Sequence, residues 1–198
     1  MFDLPTVALP PMTTADFMDW PGDGTGRMFQ LIDSVVRPVT PNLVIQGAIL
    51  ATVAWLVIGA VRTAGLPMRG VIRGAVVPLV GADTNVRLPS FIMTSASDKR
   101  GQIVVPDPVL MAEILSPANH DDTRSDVRAY FTLPSVQEVV VVDSARVLVE
   151  AYRRTRDGTG LPAPEVVRPG GRLRLATAAL DCPVEDIYEQ TWLAAPEA

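Results

Sequence analysis

The sequence has 198 residues, 48% of them hydrophobic and 20% charged, and a formal net charge of −5. These values exclude an intrinsically disordered chain, which combines low hydrophobicity with high net charge. A single cysteine, Cys182, and a single histidine, His120, exclude an internal disulfide and a Cys/His zinc cluster within one chain. The lone cysteine is typical of a reducing compartment, so we expect a cytoplasmic protein.

The N-terminal part of the chain predicts an arm, a short helix and a hairpin. Residues 1–11 are rich in proline and predict an extended arm. Thr13, followed by Asp16, is a typical helix start with a threonine cap and an acidic first turn. The segment Met28–Val36 alternates like a strand and has a turn signal at Asp33 and Ser34, which predicts a β-hairpin.

The most apolar segment is Leu43–Val61, which follows a helix start signal at Thr40 and Pro41. It is just long enough to cross a bilayer, which takes about 20 residues. Gln46, together with several Ala and Gly residues, makes insertion less favourable, and the sequence contains no second span. We therefore expect a fully buried helix, which could also lie at a subunit interface.

Strand patterns dominate the rest of the chain. The segments Met68–Ile72, Ala75–Val80 and Val86–Met93 predict strands, and Val109–Leu115 predicts a buried strand that carries one charge, Glu113. A polar stretch then leads into a helix through residues 127–131.

The C-terminal third predicts a hairpin followed by a loop and a helix. Val139–Val142 predicts a central buried strand, and Val147–Arg153 predicts its antiparallel partner. Residues 158–171 predict a loop, Leu173–Leu175 a last strand and Glu185–Thr191 a terminal helix. The whole pattern predicts an α/β (α+β) fold with an arm at residues 1–11 and a single domain at 12–198.

Several motifs, in this order and spacing, resemble one protein family. They are MTTADFMDWP, MFQLIDSVV, NVRLPSFIM, AEILSP and AYFTLPSVQEVVVVD, followed by the strand VEAYRR. The chain resembles the Uma-two (Uma2) family of restriction endonucleases, of the PD-(D/E)XK nuclease superfamily, from Met12 to about Tyr188. The resemblance implies a restriction-endonuclease-like mixed β-sheet flanked by helices, a homodimer, and Leu43–Val61 as a buried helix, with no membrane span.

The same resemblance implies metal-dependent hydrolysis of phosphodiesters. Mg²⁺ requires clustered oxygen ligands, and a lysine adds positive charge beside the phosphate. The family's first glutamate corresponds to Gln30, the aspartate after proline to Ser90, the second glutamate to Glu113, and the lysine to about Val127. Of these four catalytic positions the chain keeps only Glu113.

Two interpretations of Glu113 stay open at this point. It is either a remaining metal ligand or a buried acid paired with an arginine such as Arg87, because an unpaired carboxylate is costly inside a strand. The nearby acids could return carboxylates to the site, with an arginine replacing the lysine, or could simply favour a helix start. These residues are Asp121, Asp122 and Asp126, with Arg124 and Arg128. His120 and Ser90 have no partner by motif that would make them a base or a nucleophile.

Two functions follow from the resemblance. The first is a catalytically impaired member that keeps the fold as a binding or dimerisation module and needs no cofactor. The second is an active Mg²⁺-dependent DNA endonuclease with a rearranged site that uses Glu113 and either Asp122 or Asp126. The pI near 4.9 and the absence of a basic stripe for phosphates favour the first.

Overall fold

The structure, a computed structural model, describes residues 9–39, 43–115, 120–155 and 163–194, with the backbone alone for 120–122. The predicted arm lies mostly outside these residues, and so does the helix start signal at Thr40 and Pro41. Helix α1, Thr14–Asp19, begins after the predicted cap, because the Thr13 hydroxyl accepts from the Asp16 amide and the Asp16 carboxylate accepts from the Thr13 amide.

The predicted hairpin is confirmed. Strand β1, Phe29–Ile32, pairs antiparallel with β2, Val35–Pro38. Asp33 and Ser34 form the turn, and both have positive φ angles, of 50° and 66°. Two consecutive left-handed residues give the turn a twist that matches the twist of the two strands.

The core of the molecule is a six-stranded mixed sheet in the order β3-β4-β5-β6-β7-β8. Only β5 and β6 run parallel; all other neighbours in this sheet are antiparallel. The strands are β3 Arg69–Ile72, β4 Phe91–Thr94, β5 Pro108–Leu115, β6 Glu138–Asp143, β7 Val149–Arg153 and β8 Glu165–Val167. A separate hairpin joins β9, Arg172–Leu175, to β10, Leu180–Pro183.

Helices cover the two faces of the sheet. Helix α2, Val44–Thr63, packs on one face together with the β9–β10 hairpin and a 3₁₀ helix at Val184–Tyr188. Helix α3, His120–Tyr130, packs on the other face. Successive side chains of β5 point to opposite faces of the sheet. Leu110, Ala112 and Ile114 therefore lie in the apolar cluster under α2, whereas Met111 and Leu115 lie in the apolar cluster under α3.

Several predicted elements differ from the structure. Residues 75–80 form no strand but only isolated bridges at Ala75 and Val76, and Arg73, with φ 51°, separates them from β3. The predicted strand at Val86–Met93 starts only at Phe91. The predicted loop at 158–171 contains β8, β10 follows the predicted last strand, and the terminal helix is a 3₁₀ helix.

Helix α2 is long and apolar enough to cross a membrane, with a mean hydropathy of 2.2, which core helices of other proteins also reach. Within this chain the helix is only partly buried, since 44% of its most apolar window is buried. The predicted full burial is therefore not reached inside the chain alone, and a place at a subunit interface stays a prediction. One face packs on the sheet, whereas Val44 and Trp55 on the opposite face are 92% and 68% exposed.

Candidate functional site

Glu113 lies on β5, in the middle of the sheet, on the face that α3 covers. Its neighbours on that face are Met111 and Leu115, both buried in the apolar cluster under α3. The Glu113 side chain is itself buried. A carboxylate in such a place is costly unless other groups bind its oxygens.

Both oxygens of the Glu113 carboxyl accept hydrogen bonds from hydroxyls. The Tyr130 hydroxyl donates to Oε1 at 2.5 Å, and the Ser90 hydroxyl donates to Oε2 at 2.8 Å. The backbone amide of Ser90 donates to the same Oε2 at 3.3 Å. Neither hydroxyl carries charge, so the carboxyl has hydrogen-bond donors but no cation bound directly to it among the described residues.

The pKa of Glu113 reflects this environment. Burial, followed by repulsion from the Asp126 carboxylate, raises the pKa of Glu113 to about 7, against the opposing effect of the hydrogen bonds from Tyr130 and Ser90. Burial and the neighbouring acids also raise the pKa of Tyr130, so its hydroxyl stays a donor. A substantial fraction of the Glu113 carboxyl is therefore protonated at neutral pH.

The buried arginine of this region pairs with an acid other than Glu113. The Arg87 guanidinium, which is buried, donates through Nη1 to Asp126 at 2.6 Å and through Nη2 to Asn85 at 3.0 Å. Its Nε has no hydrogen-bond partner in the described part of the chain. The sequence suggested a pair between Arg87 and Glu113; the structure instead pairs Arg87 with Asp126.

The four positions that the sequence resemblance implied for the site are only partly brought together. Ser90 contacts Glu113 directly. Val127 is fully buried in the apolar cluster under α3, and the helix residues that contact the acidic site are Asp126 and Tyr130, four residues apart. Gln30 lies in β1, opposite Arg37 in the hairpin, with no described contact to Glu113.

The other candidates are placed as follows. The side chains of His120, Asp121 and Asp122 lie outside the described part of the structure. Arg124 points away from Glu113, because it bonds to Glu150 at 2.6 Å and to the Tyr152 hydroxyl on β7. Arg128 is exposed on α3. Within the described residues, Asp126 is thus the acid next to Glu113.

These groups do not suit a Mg²⁺ ion. The described residues contain no group of three or more metal-ligating side chains. Both Glu113 oxygens are already bound by hydroxyls, Asp126 is bound by Arg87, and a buried guanidinium repels a second cation in the same space. The two side chains that bind Glu113, Ser90 and Tyr130, supply hydroxyls and no further carboxylate.

Sequence reasoning missed the role of Tyr130 and the pairing of Arg87 with Asp126. One signal was present: Asp126 and Tyr130 are four residues apart in a helix, so they lie on one face. The acid that the buried Arg87 neutralises, however, can be identified only once the position of α3 is known.

Comparisons with known proteins agree with this fold. A family model described as "Uma2: Putative restriction endonuclease" matches residues 14–185. The crystal structure of a putative nuclease belonging to DUF820 from Anabaena variabilis ATCC 29413 is similar, with a TM-score of 0.73 and 16% sequence identity. The similarity covers 90% of this chain and 98% of that chain. No curated protein sequence matches the chain.

Proposed function

Because the chain belongs to the Uma2 family of restriction-endonuclease-type proteins, we propose that it keeps the nuclease fold as a binding and dimerisation module without metal-dependent catalysis. The supporting observation is the state of Glu113, the one acidic position that it shares with the family pattern. Its two oxygens accept from Tyr130 and Ser90, and its pKa is raised to about 7.

The chemistry of phosphodiester hydrolysis explains why this state matters. A divalent metal ion would have to bind ionised carboxylates and would stabilise the negative charge that develops on the phosphate. Here ionisation of Glu113 is opposed by burial and by Asp126, and the nearby Arg87 is already paired with Asp126. In the proposed module these residues therefore bind one another inside the protein rather than a metal ion.

DNA is the substrate class that the family description suggests, and the formal net charge of −5 does not favour binding to its phosphates. We also propose a cytoplasmic location, in keeping with the lone Cys182. A second copy of the chain is the proposed partner.

A cleavage assay tests the proposed lack of activity. The full chain is incubated with supercoiled plasmid, a duplex oligonucleotide and a single strand, in Mg²⁺ or Mn²⁺, with an EDTA sample as control. We expect no metal-dependent cleavage. Cleavage that requires the metal and disappears in Glu113→Ala would overturn the proposal.

The second candidate is an active endonuclease that uses Glu113 and Asp126, or Asp122. The proximity of Asp126 to Glu113 is the observation in its favour. It requires Asp126 to release Arg87 and bind a metal ion. Asp126→Asn would then abolish cleavage along with Glu113→Ala, whereas the proposed module has no cleavage to lose.

A further inference from the structure

The outer face of α2 is an apolar stripe that the rest of the described chain leaves uncovered. Helix α2 contains no acidic or basic residue before Arg62. A helix face that meets solvent usually carries charged side chains. The residues of this outer face, spaced by three or four positions, are Val44, Gly47, Ala51, Trp55 and Gly59, and the stripe ends at Arg62.

The inner face of α2 rules out a membrane span by this helix in the folded chain. Ile49, Val53 and Val57 are buried in the same cluster as β5 and β6. A helix that spans a membrane would have to leave this cluster and expose it. Only a surface that lies along one side of the helix can cover the outer face.

The two ends of the stripe carry opposite charges. Arg62 lies at its C-terminal end. At the N-terminal end, Leu43 and Val44 line a crevice with Gln190 and Trp192, and the exposed Glu189 directly precedes Gln190. Neither Arg62 nor Glu189 has an ion-pair partner among the described residues.

This arrangement of charge is complementary to itself after a two-fold rotation. Val44 and Arg62 are 18 positions apart, which is about 27 Å along a helix. If two copies of α2 cross antiparallel near Ala51 and Trp55, the Arg62 of each copy reaches the Glu189 end of the other. Such self-complementarity is what an interface between identical subunits requires.

The shape of the stripe also permits close approach. A side chain added at Gly47 or Gly59 would meet no atom within 4 Å, so the space above both glycines is open to a second helix. Trp55, 68% exposed, stands between them near the middle of the stripe. A central tryptophan flanked by small residues is typical of the energetic centre of an interface.

From the apolar stripe, its opposite end charges and its open glycines, we infer that the outer face of α2 binds a second copy of this chain. In this dimer the two α2 helices cross antiparallel, and Arg62 contacts Glu189 of the partner subunit. The inference rests on the dimerisation part of the proposed function and assigns it a surface. It is independent of whether the chain cleaves DNA.

Sedimentation of the full chain over a range of concentrations tests the interface. We expect a dimer whose Kd rises at least about 30-fold in Trp55→Glu, since a central tryptophan is a hot spot. The matched control is Val80→Glu, because Val80 is 74% exposed and follows Leu79, whose amide donates to Thr132 beyond the end of α3, on the opposite side of the sheet. Circular dichroism checks that both variants fold.

Charge reversal tests the orientation. Arg62→Glu and Glu189→Arg should each raise the Kd about 10-fold through like-charge repulsion, and the double variant should restore it. A dimer that neither Trp55→Glu nor the reversals weaken would overturn the interface but not dimerisation. A chain that stays monomeric overturns both, and a double variant without rescue overturns the antiparallel arrangement.

A flotation assay with phosphatidylcholine and phosphatidylserine vesicles tests whether the outer face of α2 binds lipid instead of a second copy of the chain. We expect no binding. Binding of the chain to vesicles that Trp55→Glu abolishes would show that the outer face contacts lipid and would overturn the inference.

Discussion

Replacing the Glu113 carboxyl with an amide should stabilise the protein, and it should do so only above a defined pH. Burial and Asp126 raise the pKa of Glu113 from 4.5 to about 7. The folded state therefore binds more protons than the unfolded state between these values. The contribution of the protonated Glu113 to stability is fully present below pH 4.5 and is lost as the pH rises through 7.

The magnitude follows from the size of this shift. One pKa unit corresponds to about 1.4 kcal/mol, so ionisation of Glu113 costs the folded state about 3 kcal/mol at pH 8. Glu113→Gln has the same shape, can still accept from Ser90, and cannot ionise. We compare the unfolding free energy of the variant with that of the wild type. This difference should shift in favour of the variant by up to about 3 kcal/mol between pH 4.5 and pH 8.

Urea unfolding of both proteins at half-unit steps from pH 4.5 to 8.5 measures the difference. A difference between Glu113→Gln and the wild type that does not change with pH would refute the reasoning. It would mean that the Glu113 carboxylate ionises as readily in the folded protein as in the unfolded chain.

Four further predictions follow, three from the same region and one from the 3₁₀ helix at Val184–Tyr188. Asp126→Asn leaves the Arg87 guanidinium buried without its counter-ion and should cost about 3–5 kcal/mol of unfolding free energy; a double variant, Arg87→Met with Asp126→Leu, should recover most of it in urea titrations. Gln30→Glu with Ser90→Asp should increase the affinity for Mn²⁺ in calorimetry, and no gain would show that the family positions are misassigned. Val127→Lys, which places an amine in an apolar cluster, should instead lower the melting temperature. Tyr188→Phe removes the hydroxyl that bonds Leu148 and Asp143 and should cost about 1–3 kcal/mol, and a melting temperature equal to that of the wild type would contradict this.

The sequence predicted the regular parts of the fold well. The hairpin at Asp33 and Ser34, the α1 cap at Thr13 and the β5 strand around Glu113 are set by local patterns, and the structure confirms them. The prediction of a strand at residues 75–80 is wrong, because an apolar pattern alone does not show whether a partner strand lies alongside, and these residues form only isolated bridges.

The candidate site was less accessible to prediction, since it depends on contacts between distant segments. Which acid Arg87 neutralises is decided by the rotation of α3 above the sheet, and no local pattern specifies that rotation. A shift of one helix position exchanges Asp126 for Val127, and with it a charge for an apolar group. The face of α2 that the sheet covers was not predictable for a similar reason, because a helix that is apolar all round gives no sign of its inner side.

The cluster beneath α2 has a consequence for how the protein is made. Its members come from Ile49 to Val61 near the start of the chain and from Leu173 to Tyr188 near the end, with the sheet between them. During synthesis, which proceeds from the N-terminus, α2 leaves the ribosome long before the β9–β10 hairpin that covers part of its inner face. A nascent chain that stops short of Leu173 therefore presents an apolar helix without its full cover, a typical starting point for aggregation and a surface that chaperones bind.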